Sequence, residues 1–79
     1  MNYQLLYFAS LADRAGCAGE TVQSDATGLS ALYDELRVRH GFAMDPARLR
    51  VAINGQIVDW SHALADGDEV VFLPPVSGG

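Results

Sequence analysis

The sequence predicts an α+β domain of two layers, with one main helix laid across one face of a mixed β-sheet. Only one stretch, residues 28–40, repeats its apolar residues at helical spacing, whereas five short runs carry the alternation or clustering of strands. At 79 residues the chain is long enough for one small domain with a single core.

Tyr3-Gln4-Leu5-Leu6-Tyr7-Phe8 is an apolar and aromatic run that reads as the first strand. Glu20-Thr21-Val22-Gln23 reads as a second, shorter strand, with Ala18-Gly19 as the turn connecting the two. Thr27 is the expected N-cap of the helix, in which Leu29, Leu32, Tyr33 and Leu36 share one face. Glu35 and Arg39 stand four apart with the acid first, the favourable order for a helical ion pair. Arg39 and His40 load the last turn with basic groups, and Gly41 supplies the left-handed stop. Beyond Asp45-Pro46, Leu49, Val51 and Ile53 alternate with polar or small residues as a half-buried strand. Asn54-Gly55 marks a type I′ hairpin, Gln56-Ile57-Val58 its return strand. Asp66-Gly67-Asp68 makes a further turn into Glu69-Val70-Val71-Phe72-Leu73, the last strand, and Pro74-Pro75 ends the ladder. The predicted order is β-β-α-β-β-β. Its best match is the ubiquitin-like β-grasp arrangement, with first and last strands side by side at the centre.

Composition narrows the function by exclusion. The hydrophobic share is 49%, and five arginines against ten acids give a formal charge of −5 without a single lysine. A nucleic-acid or anionic-membrane binder would need a basic stripe, so this balance favours basic partners or plain solubility. Cys17 is the only cysteine, which excludes an intramolecular disulfide, and no activating group stands near it in sequence. His40 and His62 lack metal-ligand spacing, so no metal is expected. There is no Gly-rich phosphate loop, so the chain is not expected to bind ATP itself. Trp60 is expected to cover the edge of the core. With no signal-peptide pattern and no long apolar run, the expected location is cytoplasmic.

The chemistry concentrates at the C-terminal end. A domain over residues 1–74 is expected to give way to a flexible tail over residues 75–79, which closes Ser77-Gly78-Gly79. Pro74-Pro75 stiffens the exit and projects the tail outward, and glycines without side chains can thread a narrow channel. The reactive group on offer is then the Gly79 α-carboxylate. On the sheet, Leu6 and Phe8 face away from Tyr3, Leu5 and Tyr7, and Val71 and Leu73 away from Val70 and Phe72. An apolar patch including Phe8, Ile57 and Leu73 is therefore expected on the open face of the sheet. The acidic trio Asp66, Asp68 and Glu69 reads equally well as a contact for a basic partner or as a solvated turn.

Leu64, Asp66-Gly67-Asp68-Glu69-Val70 and the ending Phe72-Leu73-Pro74-Pro75-Val76-Ser77-Gly78-Gly79 resemble the family of small sulfur-carrier subunits of molybdopterin synthases. Phe8-Ala9, Gly16, the Leu-rich helix and Asn54 also fall where that family has similar residues, so the resemblance covers essentially the whole chain. It implies that an adenylating partner uses ATP to activate Gly79 and that a sulfur donor then leaves a C-terminal thiocarboxylate. It further implies that the tail enters the large synthase subunit, in a heterotetramer, where the sulfur is passed to a pterin precursor. Catalytic side chains are then expected on the large subunit, and this chain serves as the reagent. Phe8, Ile57 and Leu73 match the family's docking surface, with Pro75, Val76, Ser77 and Gly78 following into the channel. Where the family often has an Arg-Glu pair, this chain reads Ala12-Asp13 with Arg14 beyond, and Asp13 and Arg14 are the candidates to replace its contacts. A carrier for thiamine or another thiolated product, and a ubiquitin-like protein modifier, remain the alternatives.

Overall fold

The computed structural model describes residues 1–75. Its elements are β1 (Asn2–Tyr7), α1 (Ala9–Ala15), β2 (Gly19–Gln23), α2 (Leu29–His40), a 3-10 turn (Pro46–Arg48), β3 (Arg50–Ile53), β4 (Gln56–Val58) and β5 (Glu69–Leu73). The five strands form one mixed sheet in the order β2-β1-β5-β3-β4. First and last strands lie together at the centre and run parallel, with Leu5 opposite Val70 and Tyr7 opposite Phe72, while all other neighbours are antiparallel. This is the β-grasp topology.

Alternation decides what the sheet buries. Tyr3, Leu5, Tyr7, Val22, Val51, Ile53, Val70 and Phe72 enter one core with Leu29, Leu32, Tyr33 and Leu36 of α2, the face expected from their spacing. The three buried tyrosines keep their hydroxyls satisfied, Tyr3 by the Ala26 carbonyl, Tyr33 by the Met44 carbonyl at 2.8 Å and Tyr7 by Glu20 Oε2 at 2.6 Å. Trp60 stacks on Phe72 with ring centroids 5.7 Å apart and donates to the Leu49 carbonyl, covering the core edge as expected.

Three local expectations need correction. The first two strands are not joined by an Ala18-Gly19 turn. α1 intervenes, burying Leu11 and ending at Gly16 in the left-handed conformation, and Gly19 is already the first residue of β2. The N-cap position of α2 is Gly28, not Thr27, because a bridge between Gly28 and Ala63 holds the extended backbone one residue later. Glu35 and Arg39 do not pair. Ser24 Oγ donates to Glu35 at 2.7 Å, and Arg39 turns to Glu20 at 3.7 Å. In the acidic turn, which stays solvent-accessible, Asp66 accepts from the Asn2 amide, and Asp68 from the Ala65 amide and the Asn54 side chain. Gly41 does stop α2 at φ 71°, and Asn54 and Gly55 take φ values of 51° and 85°, as a type I′ turn requires.

Candidate docking face

The second face of the sheet has no layer over it. Strand register lines up Leu6 of β1, Val71 of β5, Ala52 of β3 and Ile57 of β4 as one apolar row across four strands. The row reaches Gly19 of β2, the partner of Leu6. A Cβ there would lie 2.9 Å from the Leu5 carbonyl oxygen and 3.1 Å from Leu6 Cδ2, so only glycine lets Leu6 settle against the strand edge. The next position along the strands adds Leu73, half-buried, directly opposite Arg50.

Phe8 continues this face beyond β1. Its backbone is still extended (φ −130°, ψ 154°), and the chain then reverses at Ala9, whose φ of 50° is unusual for a residue with a side chain. Phe8 and Ile57 are 50% and 59% exposed, in a chain whose other large aromatic side chains are buried or half-buried. Beside Ile57, a shallow hollow of about 350 Å³ is lined by Val58, Asp59, Ser61 and His62. The structure thus brings Phe8, Ile57 and Leu73 onto one surface, as alternation predicts. It adds Ala52 and sets it in one row with Leu6, Val71 and Ile57, an alignment no single strand could reveal because it depends on register between strands.

The face runs up to the tail exit. β5 ends at Leu73, and exposed Pro75 follows. Val76, Ser77, Gly78 and Gly79 lie outside the described residues, as does most of the tail expected over residues 75–79.

A second constellation, on the helix side, was not anticipated. Glu20 Oε2 accepts from the Tyr7 hydroxyl and contacts His40 Nε2, and Arg39 lies 3.7 Å from the other carboxylate oxygen. Burial, then the hydrogen bond to Glu20, raises the Tyr7 hydroxyl well above its ordinary pKa. The His40 ring also meets Tyr7 and Phe42 at centroid distances of 5.7 and 5.3 Å. These contacts tie the end of α2 to β1 and β2. Arg14 ties α1 to the same end, its Nε donating to the Gly41 carbonyl at 3.1 Å. Asp13 is exposed. Cys17 packs, half-buried, against the core. Among the described residues no three His, Cys, Asp or Glu side chains gather as a metal site, and no helix is long and apolar enough to cross a membrane.

Comparison with known proteins adds the following. The model of the ThiS family matches residues 5–79. The chain is 34% identical over 79 residues to the molybdopterin synthase sulfur carrier subunit of Escherichia coli K12, covering 96% of this chain and 98% of that one. It is similar to the crystal structure of SAMP1 from Haloferax volcanii, at TM-score 0.78 and 30% identity with both chains covered in full. It also matches a chain of the complex of subunits 1 and 2 of molybdopterin-converting factor from Helicobacter pylori 26695, at TM-score 0.70 and 25% identity, again over the whole of both chains.

Proposed function

The chain belongs to the ThiS family, and from that premise we propose that it is the sulfur carrier of a molybdopterin synthase, acting through Gly79. The observation that carries this reading is the apolar row Leu6, Val71, Ala52 and Ile57. It lies on the sheet face that no helix covers, with Ala52 and Val71 closed in by their neighbours and Ile57 and nearby Phe8 left 59% and 50% exposed, in a chain similar along its length to molybdopterin synthase sulfur carriers. A protein with a buried core has no internal use for such a surface, and docking would cover it.

In this reading an adenylating enzyme, with ATP as its own substrate, lets a Gly79 carboxylate oxygen attack the α-phosphate. Pyrophosphate leaves, and the acyl-adenylate is a far better electrophile than the carboxylate. A sulfur donor attacks the acyl carbon and AMP departs, leaving the thiocarboxylate. The large subunit then takes up the tail, and the terminal sulfur attacks a pterin precursor. Two sulfurs are needed per product, so two carriers act in turn, consistent with a heterotetramer of two small and two large subunits. Phe8, Ile57, Leu73 and Pro75 form the grip; Val76, Ser77 and Gly78 follow as the threading segment. The chain binds no cofactor of its own, and the proposed compartment is the cytoplasm.

Co-expression with an adenylating enzyme and a sulfur donor, read by intact mass, tests the proposal. The expected result is the mass gain of one sulfur replacing one oxygen at the C-terminus, abolished by deleting Gly79 or by adding one residue after it. An unmodified carboxylate overturns the proposal. The similarity to the small archaeal modifier protein 1 of H. volcanii supports a second reading, that of a protein modifier, which covalent adducts on lysines of other proteins would favour.

A further inference from the structure

The open face carries a charge pattern along the strands as well as an apolar row across them. In sheet register, the residues on this face are Asn2, Gln4 and Leu6 of β1, Gly19, Thr21 and Gln23 of β2, Arg50 and Ala52 of β3, Ile57 of β4, and Glu69, Val71 and Leu73 of β5. Only two of these are charged. Glu69 stands at the start of β5, with its backbone clasped by Asn54, and Arg50 stands opposite Leu73 at the tail end. Four residues of β5 separate the two positions, about 13 Å, which is too far for an ion pair between them.

Three of the other four arginines make side-chain contacts, and Arg48, exposed on the 3-10 turn, makes none among the described residues but lies outside the strands of this face. Arg14 holds the Gly41 carbonyl, Arg37 lies over the Tyr33 ring and Arg39 faces Glu20. Arg50 makes no hydrogen bond or ion pair among the described residues. Continuing the β3–β4 register would set Asp59 beside it, yet the two do not approach within 4.0 Å. An unpaired guanidinium next to Leu73 is well solvated while the face is open. A partner that covers Leu73 strips much of that water, and burying a charge without a counter-charge is costly.

The geometry points to Arg50 as the orientation determinant of docking: it pairs with a carboxylate that the large synthase subunit presents beside the entrance for the tail. The inference rests on the docking reading given above and adds to it the partner's charge at one place. The apolar row runs across the strands and looks much the same from either strand direction, so hydrophobic contact alone permits a complex turned end for end. In that turned complex the tail points away from the channel. Arg50 at one end and Glu69 at the other break this degeneracy, because like charges brought together repel while the correct orientation pairs them.

The test measures affinity between the full chain and its large subunit by calorimetry at two salt concentrations. Arg50→Glu is expected to weaken binding by about tenfold or more, and Arg50→Ala by less while removing most of the salt dependence. Arg37→Glu, on the helix layer, makes the same change in net charge and is expected to shift affinity by less than about threefold. Circular dichroism on each variant confirms the fold. If Arg50→Glu costs no more than Arg37→Glu while Phe8→Asp abolishes binding, Arg50 has no such role and the docking face stands. If neither Phe8→Asp nor Ile57→Asp affects binding, the docking reading itself fails.

Discussion

Burial alone would raise the Glu20 carboxyl, yet hydrogen bonds from Tyr7 and His40 and the charges of His40 and Arg39 outweigh it and hold the group below its ordinary range. A carboxylate depressed in the folded state contributes stability that is fully present above its unfolded pKa, about 4.3. That contribution is lost as pH falls through the lower, folded value. Glu20→Gln is therefore expected to cost about 1–2 kcal/mol at neutral pH and to flatten the acid limb of the stability profile. Urea midpoints measured from neutral to strongly acidic pH check this; an unchanged acid slope in Glu20→Gln would assign the effect to other carboxylates. Nothing local in sequence announces the cluster. Glu20 and His40 are 20 residues apart, and reading each in its own element makes one a strand residue and the other a helix-end base. Phe8, Ile57 and Leu73 were legible on the open face because alternation along a strand is a local property. The role of Gly19 was not, because what forbids its Cβ is the backbone and side chain of a neighbouring strand.

The same division holds for the elements. α2 and the Asn54-Gly55 hairpin declare themselves through a sustained period and a turn that demands positive φ. α1 does not, since seven residues make too short a window for periodicity, and only Leu11 and the stop at Gly16 mark it. Leu11 nevertheless reaches the common core, so Leu11→Ala is expected to cost about 2–4 kcal/mol in a chemical denaturation series. The hairpin is fastened to the central strand by Asn54, whose amide nitrogen donates to Asp68 Oδ1 at 2.9 Å and whose Oδ1 accepts from the Glu69 amide at 3.0 Å. Asn54→Ala removes both bonds and places a side chain poorly suited to φ 51°, with an expected loss of about 2 kcal/mol. Asn54→Gly keeps the backbone free to adopt that angle, so a smaller loss there separates the side-chain bonds from the strain.

At the scale of the whole molecule, one face of the sheet builds the core and the other, which no helix covers, is the face proposed for docking. Stability and binding should therefore separate cleanly. Ile57→Asp, at an exposed position outside the core, is expected to leave the melting temperature within a few degrees of the parent while weakening large-subunit binding by about a hundredfold. A matched fall in melting temperature would mean that the residue supports the fold instead. The central parallel pair has a further consequence. Because β1 and β5 run in the same direction, the start of the chain and the exit of the tail lie at opposite poles of the sheet, about 20 Å apart over a six-residue strand. The Met1 ammonium sits at the far pole, donating to the Ser24 carbonyl at 2.9 Å, and in a chain without lysine it is the only amine. In the proposed function, an acyl group activated at the tail therefore emerges a strand's length from that ammonium, and the His40 imidazole beside Tyr7 is engaged by Glu20, so strand direction keeps the amine away from the activated end.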